Sequence, residues 1–132
     1  MMKKKVLVID DSNPIRLLLE AILSRHYTVT AVPDGLAAMA WLSKGNNADA
    51  IVTDLHMPNI DGWELLEHLS NSYLYKEIPV LVLSGEVVNA DPSAITARYS
   101  NVQVVMQKPF DPVVLLEKVA HILNGQLTAS IS

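Results

Sequence analysis

The sequence predicts an α/β fold: a five-stranded parallel sheet with helices on both faces. Three observations predict it. Short, continuous apolar runs recur at Val6–Ile9, Ala50–Thr53 and Pro79–Leu83, without the polar alternation of a sheet that has one wet face. Between such runs the apolar spacing changes to that of a helix, and a strand-then-helix rhythm repeats five times, which implies right-handed crossovers and parallel strands. Charged groups stand where strands should stop: Asp10-Asp11, Asp54 and Lys108-Pro109. In a parallel sheet the carboxyl ends of the strands share one edge, so these groups can converge into a single polar pocket.

The first strand is Val6–Ile9, short, β-branched and closed by two aspartates. From Pro14, the residues Ile15, Leu18, Leu19, Ile22 and Leu23 form a helical stripe, with Ser12 or Asn13 as cap and Pro14 in the first turn. Tyr27 to Val32 alternates as a second strand. Pro33-Asp34-Gly35 is turn chemistry leading into a helix that carries Leu36, Met39, Ala40 and Leu42, and Gly45-Asn46-Asn47 breaks it. Ala50 to Thr53 is the third strand, ending in Asp54. A loop from Pro58 to Gly62 precedes a helix from about Trp63 to Leu69, and Pro79–Leu83 is a fourth strand ending at Ser84-Gly85. Asp91-Pro92 caps a short helix to about Tyr99. Gln103 to Met106 is the fifth strand, and Asp111-Pro112 caps a last helix with the stripe Val113, Leu116, Val119, Ala120 and Leu123. Asn124-Gly125 stops that helix, so residues 1–124 are expected to form one domain and residues 125–132 a flexible tail.

Composition narrows the function. At 132 residues, half of them hydrophobic and 18% charged, the chain suits one globular core. Ten Lys and Arg against 14 Asp and Glu give a net charge of −4, and the pI is near 5.4. No basic stripe suited to a nucleic-acid backbone is evident, so no nucleic-acid partner is expected. With no cysteine, a disulfide frame, a thiolate metal site and a Cys nucleophile are all excluded, and a cytoplasmic setting fits. No apolar run is long enough for a membrane span. The four histidines, His26, His56, His68 and His121, show no ligand spacing, so no zinc site is expected. Trp41 and Trp63 are read as helix-face core residues.

In order along the chain stand Val-Leu-Val-Ile-Asp10-Asp11, then Val-Thr-Asp54-Leu-His-Met57-Pro58-Asn-Ile-Asp61-Gly62, then Ser84 closing a strand, then Lys108-Pro109-Phe110. Through these elements the chain resembles the receiver domains of two-component response regulators, over roughly residues 4 to 124. The resemblance implies a flavodoxin-like strand order, 2-1-3-4-5, which is taken from the family rather than derived. Alone, Asp10-Asp11 reads equally well as a strand-to-helix cap, and Ser84 and Lys108 read as turn residues. The ordered set reverses all three readings. Asp61-Gly62 reads as turn chemistry, and Met57 as either a pocket cover or a packing residue.

Three clustered carboxylates repel one another unless a divalent cation and a lysine offset their charge, and Mg²⁺ suits an all-oxygen site. The resemblance implies Asp11 and Asp54 as direct Mg²⁺ ligands, Asp10 as a ligand mainly through water, and the His56 backbone carbonyl as the remaining protein ligand. It implies Asp54 as the nucleophile forming an aspartyl-phosphate, with Lys108 and the Ser84 hydroxyl supplying charge and a hydrogen bond to the transferred group. It also implies a cis Lys108-Pro109 peptide, and it puts the His56 and Glu86 side chains at the pocket mouth, where the alternative reading makes both solvated loop residues.

Three departures from the family pattern stand out. Val105 replaces the aromatic residue that changes rotamer in many members. Gly85 follows Ser84 where alanine is more usual. The stretch from Ser84 to Lys108 is slightly long, which predicts an irregular or mobile fourth helix.

The resulting expectation is a signalling phosphoacceptor, not an enzyme. It would be charged by a sensor histidine kinase or a histidine phosphotransfer protein and would then switch its binding to a downstream protein, with no membrane partner. Whether it is stand-alone, a relay intermediate or the receiver portion of a longer protein is left open. Two other classes are weighed. One is a Mg²⁺-dependent phosphohydrolase with an Asp nucleophile, which wants an Asp two residues on, where this chain has His56. The other is a receiver-like binding module that is never phosphorylated.

Overall fold

The computed structural model describes residues 3–55, 61–85 and 92–124, with side chains from residue 95 in the last segment. Among these residues five strands, β1 (Lys5–Ile9), β2 (Thr28–Val32), β3 (Ala50–Asp54), β4 (Val80–Ser84) and β5 (Val102–Gln107), alternate with five helices, α1 (Asn13–Leu23), α2 (Gly35–Ser43), α3 (Gly62–Asn71), α4 (Pro92–Arg98) and α5 (Pro112–Leu123). All strand pairs are parallel, in the order β2-β1-β3-β4-β5. The expected fold and strand order are therefore present. Strand bounds agree within one residue.

Alternate strand residues feed two separate cores, because successive side chains in a strand point to opposite faces. Leu7, Ile9, Ile51, Val80 and Val82 pack with α2, α3 and α4 residues such as Leu42, Leu66 and Ile95. On the other face, Val6, Val8, Val52, Leu81 and Leu83 pack with Leu19 and Leu23 of α1 and Leu115, Val119 and Ile122 of α5. This two-sided burial is why the strands read as continuous apolar runs.

Helix starts follow their caps. Ser12 Oγ accepts from Ile15 N, Asp34 from Ala37 N, Asp61 from Glu64 N, and Asp111 from Val113 N and Val114 N. Each satisfies amides that the first helical turn leaves open. Three stripes differ from expectation. In α1, Leu18 is 44% exposed; in α2, Leu36 is 55% exposed and Ala40 is exposed while Ala38 is buried; in α5, Val113 is 62% exposed and the buried line is Leu115, Val119 and Ile122. These helices carry apolar residues on several faces, so packing against the sheet selects the stripe.

One irregularity matters for the site. Val80 pairs with Val102, yet Leu81 pairs with Val104, so Gln103 is an extra residue in edge strand β5. A bulge inverts the facing of everything after it. Val102 and Val105 consequently join the same core although three residues apart, and Val104 and Met106 join the other.

Candidate functional site

β1 and β3 are neighbours, and their last residues end at the same edge. Asp10 follows β1 and is fully buried, Asp54 ends β3 and is 6% exposed, and Asp11 lies exposed beside them. One carboxylate oxygen from each lies within 4.8 Å of the other two. Lys108 reaches in from beyond β5, its Nζ 2.7 Å from Asp10 Oδ2 and 3.2 Å from Asp54 Oδ2. The Lys108–Pro109 peptide is cis, and Lys108 N donates to the Ser84 carbonyl at 2.8 Å, which fixes the lysine beside the end of β4.

The carboxylates are not equivalent. Asp10 Oδ1 accepts from Ser12 N at 2.9 Å while Oδ2 accepts from Lys108, and Arg16 Nη1 donates to the Asp10 carbonyl at 2.7 Å. Asp54 Oδ1 accepts from Leu55 N at 2.7 Å, which orients its carboxylate along the chain. Exposed Asp11 provides the open side of the cluster. Burial pushes the Lys108 ammonium toward a lower pKa, but the hydrogen bond and charge of Asp10, and then those of Asp54, outweigh it and raise the net value above the ordinary 10.5.

Ser84 Oγ is buried and has no hydrogen-bond partner among the described residues. A buried hydroxyl without a partner costs free energy, so its persistence beside a cationic and acidic cluster suits a polar ligand that completes it. Gly62 lies against the end of β3. Its amide donates to Leu55 O at 2.8 Å, and a Cβ there would lie 2.4 Å from Leu55 Cα and 2.5 Å from Asp54 O. Only glycine lets α3 begin so close to the strand end.

Five expected site residues, Asp10, Asp11, Asp54, Ser84 and Lys108, thus stand at one edge. His56, Met57, Glu86 and Asp91 lie outside the described residues, as does the 125–132 tail. Three contributions were absent from the sequence reading: the Ser12 amide, the Arg16 guanidinium and the close approach of Gly62. Only the last had a signal, the Asp61-Gly62 pair placed at a helix start.

This geometry matches what comparison with known proteins finds. The sequence model of the family described as "Response regulator receiver domain" matches residues 6–120. The chain belongs to the response regulator receiver family. A chemotaxis protein CheY homolog of Campylobacter jejuni is 32% identical over 122 residues, covering 91% of this chain and 92% of that protein. The 3',5'-cyclic-nucleotide phosphodiesterase regA of Dictyostelium discoideum is 32% identical over 125 residues. The receiver chain spans only 16% of that protein's length, and the phosphodiesterase activity belongs to the relative. Among solved structures, the Francisella response regulator 1452 receiver domain superposes with a TM-score of 0.81 at 28% identity, covering 94% of this chain and 99% of that one. The receiver's role is that of a signalling phosphoacceptor. Three oxygen-bearing aspartates around one lysine also fit a hard divalent cation. No helix among the described residues is long and apolar enough to cross a membrane.

Proposed function

We propose that Asp54 accepts the phosphoryl group, with Mg²⁺ held by Asp11 and Asp54 directly, by Asp10 through water, and by the His56 carbonyl. The observation that carries this reading is the convergence of Lys108 Nζ on both Asp10 and Asp54 beside a buried Ser84 hydroxyl that has no partner among the described residues. When bound, the cation would neutralise charge on the transferring group and on the carboxylates. Asp10 suits the indirect role, since both of its oxygens already accept hydrogen bonds.

The step is an in-line displacement. A carboxylate oxygen of Asp54 attacks phosphorus, the new P–O bond forms as the P–N bond of a phosphohistidine breaks, and the imidazole leaves with the electron pair. Leu55 N holds Asp54 in place beforehand, so little reorganisation is needed. Lys108 then pairs with the acquired charge, and Ser84 Oγ donates to a phosphoryl oxygen. Donors of this class are a sensor histidine kinase or a histidine phosphotransfer protein in the cytoplasm. The altered surface is read by a downstream protein.

Acetyl phosphate with Mg²⁺ should add one phosphoryl group per chain by intact mass, and Asp54→Asn should abolish it. Full labelling in Asp54→Asn would remove Asp54 as the acceptor. Sustained turnover of phosphomonoesters, in place of stoichiometric labelling, would favour a phosphohydrolase.

A further inference from the structure

Charge is divided unevenly between the two edges of the sheet. The phosphoacceptor cluster lies at the carboxyl edge. The opposite, amino edge is built from the residues entering β1 and the connections α1–β2, α2–β3, α3–β4 and α4–β5. Six of the ten Lys and Arg residues stand there, Lys3, Lys4, Lys5, Arg25, Lys44 and Lys76, all exposed, against two of the fourteen carboxylates, Asp49 and Glu77. Four cations and twelve carboxylates are left for the rest of the chain, so an acidic molecule presents one basic edge. Asp49 is further engaged, its Oδ2 accepting from Lys5 N at 2.7 Å.

A cavity of about 300 Å³ opens into this edge between α2 and the starts of β1 and β2, lined in part by Lys5, Thr28, Thr30, Trp41, Asn46 and Asn47. Its lining residues supply hydroxyls, amides, an ammonium-bearing residue and an indole, and among the described residues that line it none carries a carboxylate. The loop that shapes it is held, because Asn46 Nδ2 donates to Trp41 O at 2.8 Å and Gly45 turns the chain at φ 89°. Tyr75 OH donates to Leu42 O at 3.1 Å, tying the α3–β4 connection to the end of α2. That connection carries Tyr73 and Leu74, 88% and 78% exposed, with Lys76 Nζ 4.9 Å over the Tyr73 ring.

We propose that the amino edge is a second binding surface that takes an acidic segment of a partner protein, with one carboxylate side chain of the segment entering the cavity beside Trp41. Charge complementarity selects an anionic partner. The apolar pair Tyr73-Leu74 selects a polypeptide among anions, because a peptide supplies apolar side chains between its carboxylates and a phosphodiester backbone does not. The surface is remote from Asp54, so docking is independent of phosphorylation and leaves the phosphoacceptor edge open.

The test uses a capped synthetic peptide of six glutamates flanking a Leu-Phe pair, with a lysine-for-glutamate counterpart as control, titrated into the full-length ¹⁵N-labelled chain. Amide shifts should concentrate at Lys3–Lys5, Thr28, Thr30, Trp41, Asn46 and Tyr73. In a Trp63→Phe protein, fluorescence then reports Trp41 alone. The double reversal Lys4→Glu with Lys76→Glu should weaken binding about tenfold, and Leu74→Ser should weaken it at unchanged charge. Beryllofluoride with Mg²⁺ should leave the affinity unaltered. The proposal is overturned by shifts at the carboxyl edge only, by equal binding of the lysine peptide, by unchanged affinity in the double reversal, or by tighter binding of a DNA duplex or phosphatidylserine vesicles at the same salt.

Discussion

At Gly62 the space for a side chain is filled by backbone, and neither Leu55 Cα at 2.4 Å nor Asp54 O at 2.5 Å can rotate away. Gly62→Ala is therefore expected to cost about 1–3 kcal/mol and to slow labelling of Asp54. Gly85→Ala is the contrast, since its Cβ would meet Lys108 Cδ at an ordinary 3.9 Å and should shift stability by less than about 0.5 kcal/mol. Urea denaturation of both variants, giving equal losses, would contradict this account. Lys108 makes a separate prediction. Its folded pKa lies above the ordinary 10.5, so the stability it contributes is fully present below that value and is lost as pH rises through the folded value. Alkaline denaturation should accordingly cost the native chain more than Lys108→Met, with a constant gap between them below about pH 9. A gap that persists unchanged through strong alkali would show that the ion pair is not the cause. The five converging site residues were legible because each closes or follows an apolar run. Arg16 was not, since its contact with the Asp10 carbonyl depends on the direction in which α1 leaves β1.

Among the elements, helix starts were the most legible features and helix faces the least. A Ser or Asp cap is local chemistry, and all four caps observed for α1, α2, α3 and α5 are Ser or Asp. Asp111 accepts from two amides of α5, so Asp111→Ala should lose about 1 kcal/mol, read as a lower midpoint in urea with an unchanged slope. A loss below the error of the measurement would mean that solvent replaces the cap. The α5 stripe could not be fixed in the same way. Its sequence, Pro-Val-Val-Leu-Leu-Glu-Lys-Val-Ala-His-Ile-Leu, satisfies helical spacing on more than one face, and the sheet selects Leu115, Val119 and Ile122. The β5 bulge was equally hidden. Val-Gln-Val-Val-Met contains no glycine or proline to mark it, and only the pairing with β4 reveals that Gln103 is supernumerary. Its effect reaches the site, because the facing of every residue from Val104 onward depends on it.

For the whole molecule, folding itself assembles the repulsion at the phosphoacceptor edge. Asp10 and Asp11 follow β1 and Asp54 ends β3, 43 residues beyond Asp11 along the chain, yet their oxygens are gathered within 4.8 Å while Lys108 supplies a single positive charge. The unfolded chain disperses these groups. A cation held by them binds the native state preferentially, and stability must then rise with its concentration by linkage. Saturating Mg²⁺ at one hundred times its dissociation constant should add about 2.7 kcal/mol, reversed by chelation. Asp11 is exposed, so Asp11→Ala should leave the metal-free protein at least as stable as the native chain, with one repulsive charge removed, while most of the Mg²⁺-dependent rise in Tm disappears. Trp63 follows Gly62 at the start of α3 and stands 6.2 Å from the Tyr99 ring, which makes its fluorescence a second readout of the same titration. An identical Tm rise in Asp11→Ala would place the cation elsewhere. A metal-free Asp11→Ala protein that unfolds far below the native chain would show instead that Asp11 supports the fold, and that its charge is not the quantity Mg²⁺ offsets.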